Sequence, residues 1–202
     1  MINVDDAVGR LVATLKELDL YDRTVIFFTS DNGGLLGKTS NEPFRSGKGN
    51  PYEGGIRIPQ ICRWPGVTEA GSSCSTPVTS VDFFPTICAA AQVPLPTDRE
   101  IDGVDLMPLL KGGSIQRDAI YWHFPHFRGS IWPYSIIRKG DWKLLYHYST
   151  IHPPELYNLK DDIGEENNLA AKMPEKAKEL QAQLEAHLKS VGAKIPKIVD
   201  AD

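Results

Sequence analysis

The chain has 202 residues, of which 41% are hydrophobic and 24% charged, and a formal net charge of −4. That length holds one sizeable core or a core with a small appendage, and the composition is ordinary for a globular protein. The charge gives no reason to expect a nucleic-acid partner, which needs a concentrated basic face. No apolar run approaches the ~20 residues that span a bilayer, so no membrane partner is expected. The three widely spaced cysteines form no zinc motif.

The N-terminus, Met1-Ile2-Asn3-Val4-Asp5-Asp6, lacks the basic-then-apolar start of a signal peptide. Val4, Val8, Leu11, Val12, Leu15 and Leu18 then recur at helical spacing, with Asn3 as a capping start. Asp19–Arg23 connects this helix to an apolar strand, Thr24–Phe28. Helix, short loop and buried strand in that order are the α/β signature.

The strand runs into Thr29-Ser30-Asp31-Asn32-Gly33-Gly34. Open α/β sheets build their sites at the carboxyl ends of strands. Asp31 offers a charged oxygen and Asn32 a neutral one, a donor pair that suits calcium or magnesium. Taken alone, these residues are ordinary turn formers. Residues 33–55 form a glycine-rich loop that carries Arg45 and Lys48, and a loop of that length is functional or disordered. A lysine between glycines, downstream of an acidic pair, suits an anionic group such as sulfate or phosphate. Arg45 and Glu53 read as braces of this loop, with Arg45 also a candidate substrate contact.

Ile56–Cys62 reads as a strand whose Pro59 places it at an edge. Trp64-Pro65-Gly66 turns the chain. Ser80–Ala91 reads as a helix with Val81, Phe84, Ile87 and Cys88 on one side, and Leu106–Leu110 as a short helix. After about Gly112, Ile120–Phe124, Ser135–Ile137, Trp142–Tyr148 and Glu155–Tyr157 follow at the close spacing of antiparallel strands. A hairpin turn is expected at Lys139-Gly140-Asp141. Pro174–Val191 reads as a helix with Ala177, Leu180, Leu184, Leu188 and Val191 on one face. His123 and His126 offer a substrate-pocket loop, against which stands a structural role satisfied by backbone. Asp161, Asp162, Glu165 and Glu166 read as a solvated turn.

Several segments carry a resemblance. They are S-D-N-G-G at 30–34, R-S-G-K-G at 45–49, Y-E-G-G-I-R-I-P at 52–59 and R-W-P-G at 63–66. Thr76–Thr86, Asp102–Leu106, Arg138–Leu144 and Glu155–Leu159 continue it. As an ordered set covering nearly the whole chain, they resemble the sulfatase family of arylsulfatase type.

The resemblance implies an α/β fold: the C-terminal part of an alkaline-phosphatase-like sandwich at 1–112, then a small antiparallel sheet with a packed terminal helix at 113–202. It implies hydrolysis of sulfate esters, aryl or glycan, to alcohol and inorganic sulfate. Asp31 and Asn32 match the metal pair, for Ca2+ with Mg2+ as the alternative, and Lys48 matches the catalytic lysine that contacts sulfate. Arg45, His123 and His126 join it as substrate contacts. The family's nucleophile is a formylglycine made from Cys or Ser in C/S-x-P/A-x-R, and no cysteine or serine of this sequence fits that motif. The chain therefore looks like the C-terminal portion of a sulfatase, with the formylglycine in an N-terminal half that would be its partner, and it is expected to be inactive alone. A periplasmic, extracellular or lysosomal-type compartment is implied as well. A related phosphoesterase and a non-catalytic sulfate-binding remnant are the alternatives.

Overall fold

The computed structural model describes residues 2–197. In chain order the elements are α1 (Ile2–Glu17), β1 (Ile26–Thr29), α2 (Glu53–Ile56), β2 (Gln60–Arg63), α3 (Phe83–Ala90), α4 (Met107–Leu110), β3 (Ile120–Phe124), β4 (Tyr134–Lys139), β5 (Trp142–His147), β6 (Glu155–Asn158) and α5 (Pro174–Ser190). They fall into two compact units. Residues up to Thr29 join Pro59–Gln116, and Ser30–Ile58 joins the chain from Arg117 onward.

In the first unit, α1 forms where its periodicity predicts, yet none of its residues is buried. Ile2, Val4, Leu11 and Leu18 are exposed. The strands β1 and β2 pair antiparallel, from Ile26 opposite Arg63 to Thr29 opposite Gln60. Arg63 locks this pair: its guanidinium lies 3.4 Å from the Tyr21 ring centroid, donates to the Tyr21 carbonyl at 2.6 Å and pairs with Asp22 at 2.9 Å.

The helix expected at Ser80–Ala91 begins with a 3-10 turn, Ser80–Asp82, closed by a reciprocal box between Thr79 and Asp82. Pro85 sits in the first turn of α3, where its missing N–H breaks no bond. The apolar side of the helix is turned outward and the opposite side is the buried one. Asp82, Pro85 and Thr86 are inside, while Val81, Phe84 and Ile87 are exposed. The reason is polar: the 104–106 loop needs acceptors. Asp82 accepts the Val104 N–H at 3.0 Å, and the Thr86 hydroxyl accepts the Leu106 N–H at 2.9 Å. Buried backbone donors must find such partners.

In the second unit, β3-β4-β5-β6 form an antiparallel sheet in sequence order. The β4–β5 hairpin closes at Lys139 opposite Trp142, and Gly140 takes the φ of +57° that this turn demands. Side chains alternate across the sheet. Ile137, Leu144 and Leu156 bury against Leu180, Leu184 and Leu188 of α5. Ile136, Leu145 and Tyr134 face the other way, onto Tyr52, Ile56, Trp122, Phe124 and Ile131. Val191 ends outside α5 and is exposed rather than on its buried face.

Two polar networks fasten the 44–57 segment to this sheet. Lys143 of β5 is fully buried between Glu53 Oε1 at 3.1 Å and Glu165 Oε1 at 2.7 Å. Glu165 Oε2 also accepts the Glu53 backbone N–H at 2.6 Å. Burial raises the Glu165 carboxyl above its ordinary value, against the pull of Lys143. Glu165 is thus part of the interior and not of a solvated turn.

In the second network Glu155 accepts hydrogen bonds from His147, Tyr52 and Tyr157, and Arg45 reaches Tyr157 at 2.9 Å and the Glu165 carbonyl at 3.0 Å. Burial alone would raise the Glu155 carboxyl, but the donors around it outweigh burial and hold it at about 2.

Both networks make predictions. Lys143→Ala or Lys143→Met leaves the buried Glu165 without its counter-charge and Glu53 with only its longer contacts, to Arg138 at 3.5 Å and Arg57 at 3.7 Å, a change that costs about 3–5 kcal/mol. A fall of roughly 10 °C in melting temperature is expected for either, and an unchanged melt would show that the pair does not hold the segment. Glu155 titrates lower folded than its ordinary 4.5. Its contribution, on the order of 3 kcal/mol, is therefore present above that value and fades as pH falls towards 2. Glu155→Gln should be less stable at pH 7 and lose less stability than the parent between pH 5 and pH 2. Parallel pH–stability curves would remove Glu155 from that role.

Candidate functional site

The candidate site is the Ser30–Ile58 segment of the second unit. Three stretches of its backbone touch. The Gly33 N–H donates to the Gly55 carbonyl and the Lys48 N–H to the Gly34 carbonyl, both at 2.9 Å, and the Gly54 N–H donates to the Arg45 carbonyl at 2.9 Å. Glycine is what permits this approach. A Cβ on Gly33 would lie 1.9 Å from the Gly54 oxygen, and one on Gly54 would lie 2.3 Å from the Ser46 oxygen.

One side chain closes the loop from within. The Asn41 amide oxygen accepts the Gly34 N–H at 3.1 Å, and its nitrogen donates to the Gly34 and Ser46 carbonyls at 2.8 and 3.0 Å. The sequence reading did not single out Asn41. An amide in the middle of a glycine-rich loop, able to donate and accept at once, was the available signal.

Asp31 and Asn32 open this segment two residues after β1. The Asp31 side chain is exposed and Asn32 half-buried. The Ser30 hydroxyl lies 2.9 Å from the Asn32 carbonyl and 3.5 Å from Asp31 Oδ1. Among the described residues no lysine or arginine forms an ion pair with Asp31, and no carboxylate forms one with the exposed Lys48. A bare carboxylate and a bare ammonium thus sit on one loop, joined through the Gly34–Lys48 hydrogen bond.

The donors at Asp31 and Asn32 fit a hard cation in kind, since both are oxygens. They fall short in number. Calcium takes six to eight oxygens, and among the described residues no group of three or more His, Cys, Asp or Glu is placed to hold a metal.

The other expected contacts are distributed differently. Arg45 stacks on Tyr52, 3.6 Å from the ring centroid, and points into the Glu155 network. His123 on β3 has both ring nitrogens engaged, Nδ1 with the Ser135 hydroxyl at 2.7 Å and Nε2 with the Lys194 carbonyl at 3.0 Å. His126 is exposed just past β3, its ring edge-on to Phe124. The loop geometry brings Asp31, Asn32 and Lys48 onto one frame, while Arg45 and His123 are held by partners inside the fold.

The sulfatase family pattern matches residues 1–93. A sulfatase of Formosa agariphila is 38% identical over 191 residues, spanning 85% of this chain and 34% of that protein. The chain thus spans about a third of the length of this relative. Among solved structures, Ps i-CgsB in complex with k-i-k-neocarrahexaose is similar at 34% identity and a TM-score of 0.81, over 91% of this chain and 40% of that one. BT4656 in complex with its substrate D-glucosamine-2-N,6-O-disulfate is similar at 33% identity and a TM-score of 0.75, over 93% and 38%. The phosphonate monoester hydrolase of Agrobacterium radiobacter matches at 29% identity and a TM-score of 0.72, over 91% and 38%. The chain has the α/β architecture of the sulfatase and alkaline-phosphatase-like fold, as its sequence implied.

Proposed function

We propose that this chain is the C-terminal portion of a sulfate-ester hydrolase and supplies part of its metal site and its sulfate-binding lysine. The observation that carries this reading is the 30–58 loop. Asp31 and Lys48, neither in an ion pair among the described residues, are built onto one glycine frame, with the Lys48 N–H bonded to Gly34 at 2.9 Å. Asp31 and Asn32 would hold the cation, Ca2+ with Mg2+ as the alternative. When bound, such a cation withdraws charge from the sulfate oxygens. The Lys48 ammonium neutralises a further sulfate oxygen and the charge growing on the departing one. A fixed donor of that kind contributes about 3–4 kcal/mol, on the order of 10²–10³ in rate. Arg45 and His123 serve this site by holding the surrounding structure, and the exposed His126 is the histidine left to meet substrate.

The division of the chain at about Gly112 then separates a catalytic part, 1–112, from a small-sheet part, 113–202, with the site loop of the first built against the sheet of the second. The sulfated sugar bound to BT4656 supports a sulfated glycan as substrate, and a small sulfate ester is the other member of the class. The same likeness supports a secreted or compartmentalised location. Among the described residues no helix is long and apolar enough to cross a membrane. The match to a phosphonate monoester hydrolase favours a phosphoesterase as the second reading. A sulfate-binding remnant without catalysis is the third.

Calcium with sodium sulfate should raise the melting temperature of the chain by a few degrees, as expected at ligand concentrations well above Kd. Asp31→Ala with Lys48→Ala should abolish the rise. No rise, or one that survives the substitutions, overturns the site. A larger rise with phosphate than with sulfate favours the phosphoesterase. Because no Cys or Ser here lies in C/S-x-P/A-x-R, the covalent step has no nucleophile in these residues. The purified chain should release no sulfate from an aryl sulfate, and turnover that follows the chain through purification would overturn that expectation.

A further inference from the structure

We propose that Arg128 is a specificity residue that reads a second anionic group on the substrate, a carboxylate or a second sulfate, beside the sulfate held by Lys48. The proposal rests on the sulfate-binding reading of the 30–58 loop. Arg128 lies on the connection between β3 and β4. That connection is pinched by paired backbone bonds, the Arg128 N–H to the Ile131 carbonyl and the Ile131 N–H to the Arg128 carbonyl, both at 3.0 Å. From this pinched connection the side chain reaches the site loop. Its guanidinium lies across Gly49, the residue after Lys48. A Cβ built on Gly49 would come within 2.7 Å of Arg128 Nη1, 2.9 Å of Cζ and 3.3 Å of Nη2.

This arginine is also unneutralised. Among the described residues no carboxylate forms an ion pair with Arg128. By contrast Arg45, Arg57, Arg63, Arg99 and Arg138 each have a carboxylate within 4 Å. Two cations, one on the residue before Gly49 and one lying over Gly49, favour a ligand with two negative groups. A guanidinium presents a planar fork that grips carboxylate or sulfate through two hydrogen bonds, whereas an ammonium acts as a point charge. The same connection carries an aromatic surface. Phe127 and Trp132 lie 5.3 Å apart between ring centroids, and Trp132 and His152 lie 5.6 Å apart. Phe127 is 56% exposed. Rings on the same connection as Arg128 suit the apolar face of a sugar. The substrate class is therefore a glycan unit with two anionic groups.

The test titrates the full chain, in calcium, with D-glucosamine-2-N,6-O-disulfate and with D-glucosamine-6-O-sulfate, following binding by calorimetry. Arg128→Gln should weaken the disulfate by about tenfold and the monosulfate by less than about twofold. Arg128→Lys, which keeps charge but loses the fork, should fall between. Lys48→Gln should weaken both sugars. Unchanged melting temperatures for these exposed positions will show that the variants are folded. Equal losses on both sugars with Arg128→Gln, or no loss on either, overturn the role of Arg128 while leaving the sulfate site intact. Failure of Lys48→Gln to weaken the monosulfate overturns the sulfate site itself, and absence of binding by the parent chain overturns both.

Discussion

The placement of the site loop depends on one buried ammonium. Lys143 reaches Glu53 at 3.1 Å and Glu165 at 2.7 Å with no exposure to solvent. Three segments far apart in sequence meet there: α2, β5 and the turn before α5. Moving such charges out of water is costly, and mutual attraction offsets that cost only when geometry and hydrogen bonding are good. Here Glu165 accepts a backbone N–H from Glu53 as well as the lysine. The network therefore fixes α2 in position and orientation, which apolar contact alone does less specifically. Tyr52 and Ile56, packed on the free face of the sheet, supply the apolar part of the same attachment.

From α2 the constraint passes to the loop by backbone contact. Gly54 and Gly55 touch Arg45 and Gly33, and Gly34 touches Lys48. Each contact is short because a Cβ has been removed from it. Asn41 then bonds to two of the three stretches and sets their spacing. The result is a braced frame that carries Asp31, Asn32 and Lys48, with no ion pair to Asp31 or Lys48 among the described residues. A charged group at such a position loses less freedom on meeting a ligand than one on a mobile loop, which is the physical content of preorganisation.

Much of this was legible in the sequence because it depends on local pattern. The close-spaced strands, the Gly140 turn and the leucine face of α5 follow from periods of two and 3.6 and from turn chemistry. The site loop was legible as a glycine-rich interruption bearing an acid, an amide and a lysine in order. What was not legible depends on pairing at long range. Lys143 in Trp142-Lys143-Leu144 reads as an ordinary polar position in a strand, and Glu165 as one acid among several. Only the fold shows that they neutralise each other. The burial of Asp82 and Thr86 was hidden for a similar reason, since they are inside to serve the backbone of a distant loop. Periodicity counts apolar residues and cannot see that demand.

The distribution of unpaired charge separates scaffold from site. Arg45 belongs to the same R-S-G-K-G segment as Lys48, three residues away, and sequence alone treats them as equivalent cations. Arg45 stacks on Tyr52 and reaches Tyr157 and a buried carbonyl, so its charge is already answered within the fold. Lys48 and, across Gly49, Arg128 are exposed with no answering carboxylate among the described residues, and Asp31 on the same frame is exposed with no answering lysine or arginine there. Surface ion pairs form cheaply where opposite charges are near. Positions that stay unpaired on a rigid frame, while neighbouring charges are paired, are where an external ion gains the most from binding. By that criterion the proposed site comprises Lys48 and Arg128 on either side of Gly49 together with Asp31 and Asn32, and its proposed ligands are a cation and a doubly anionic group.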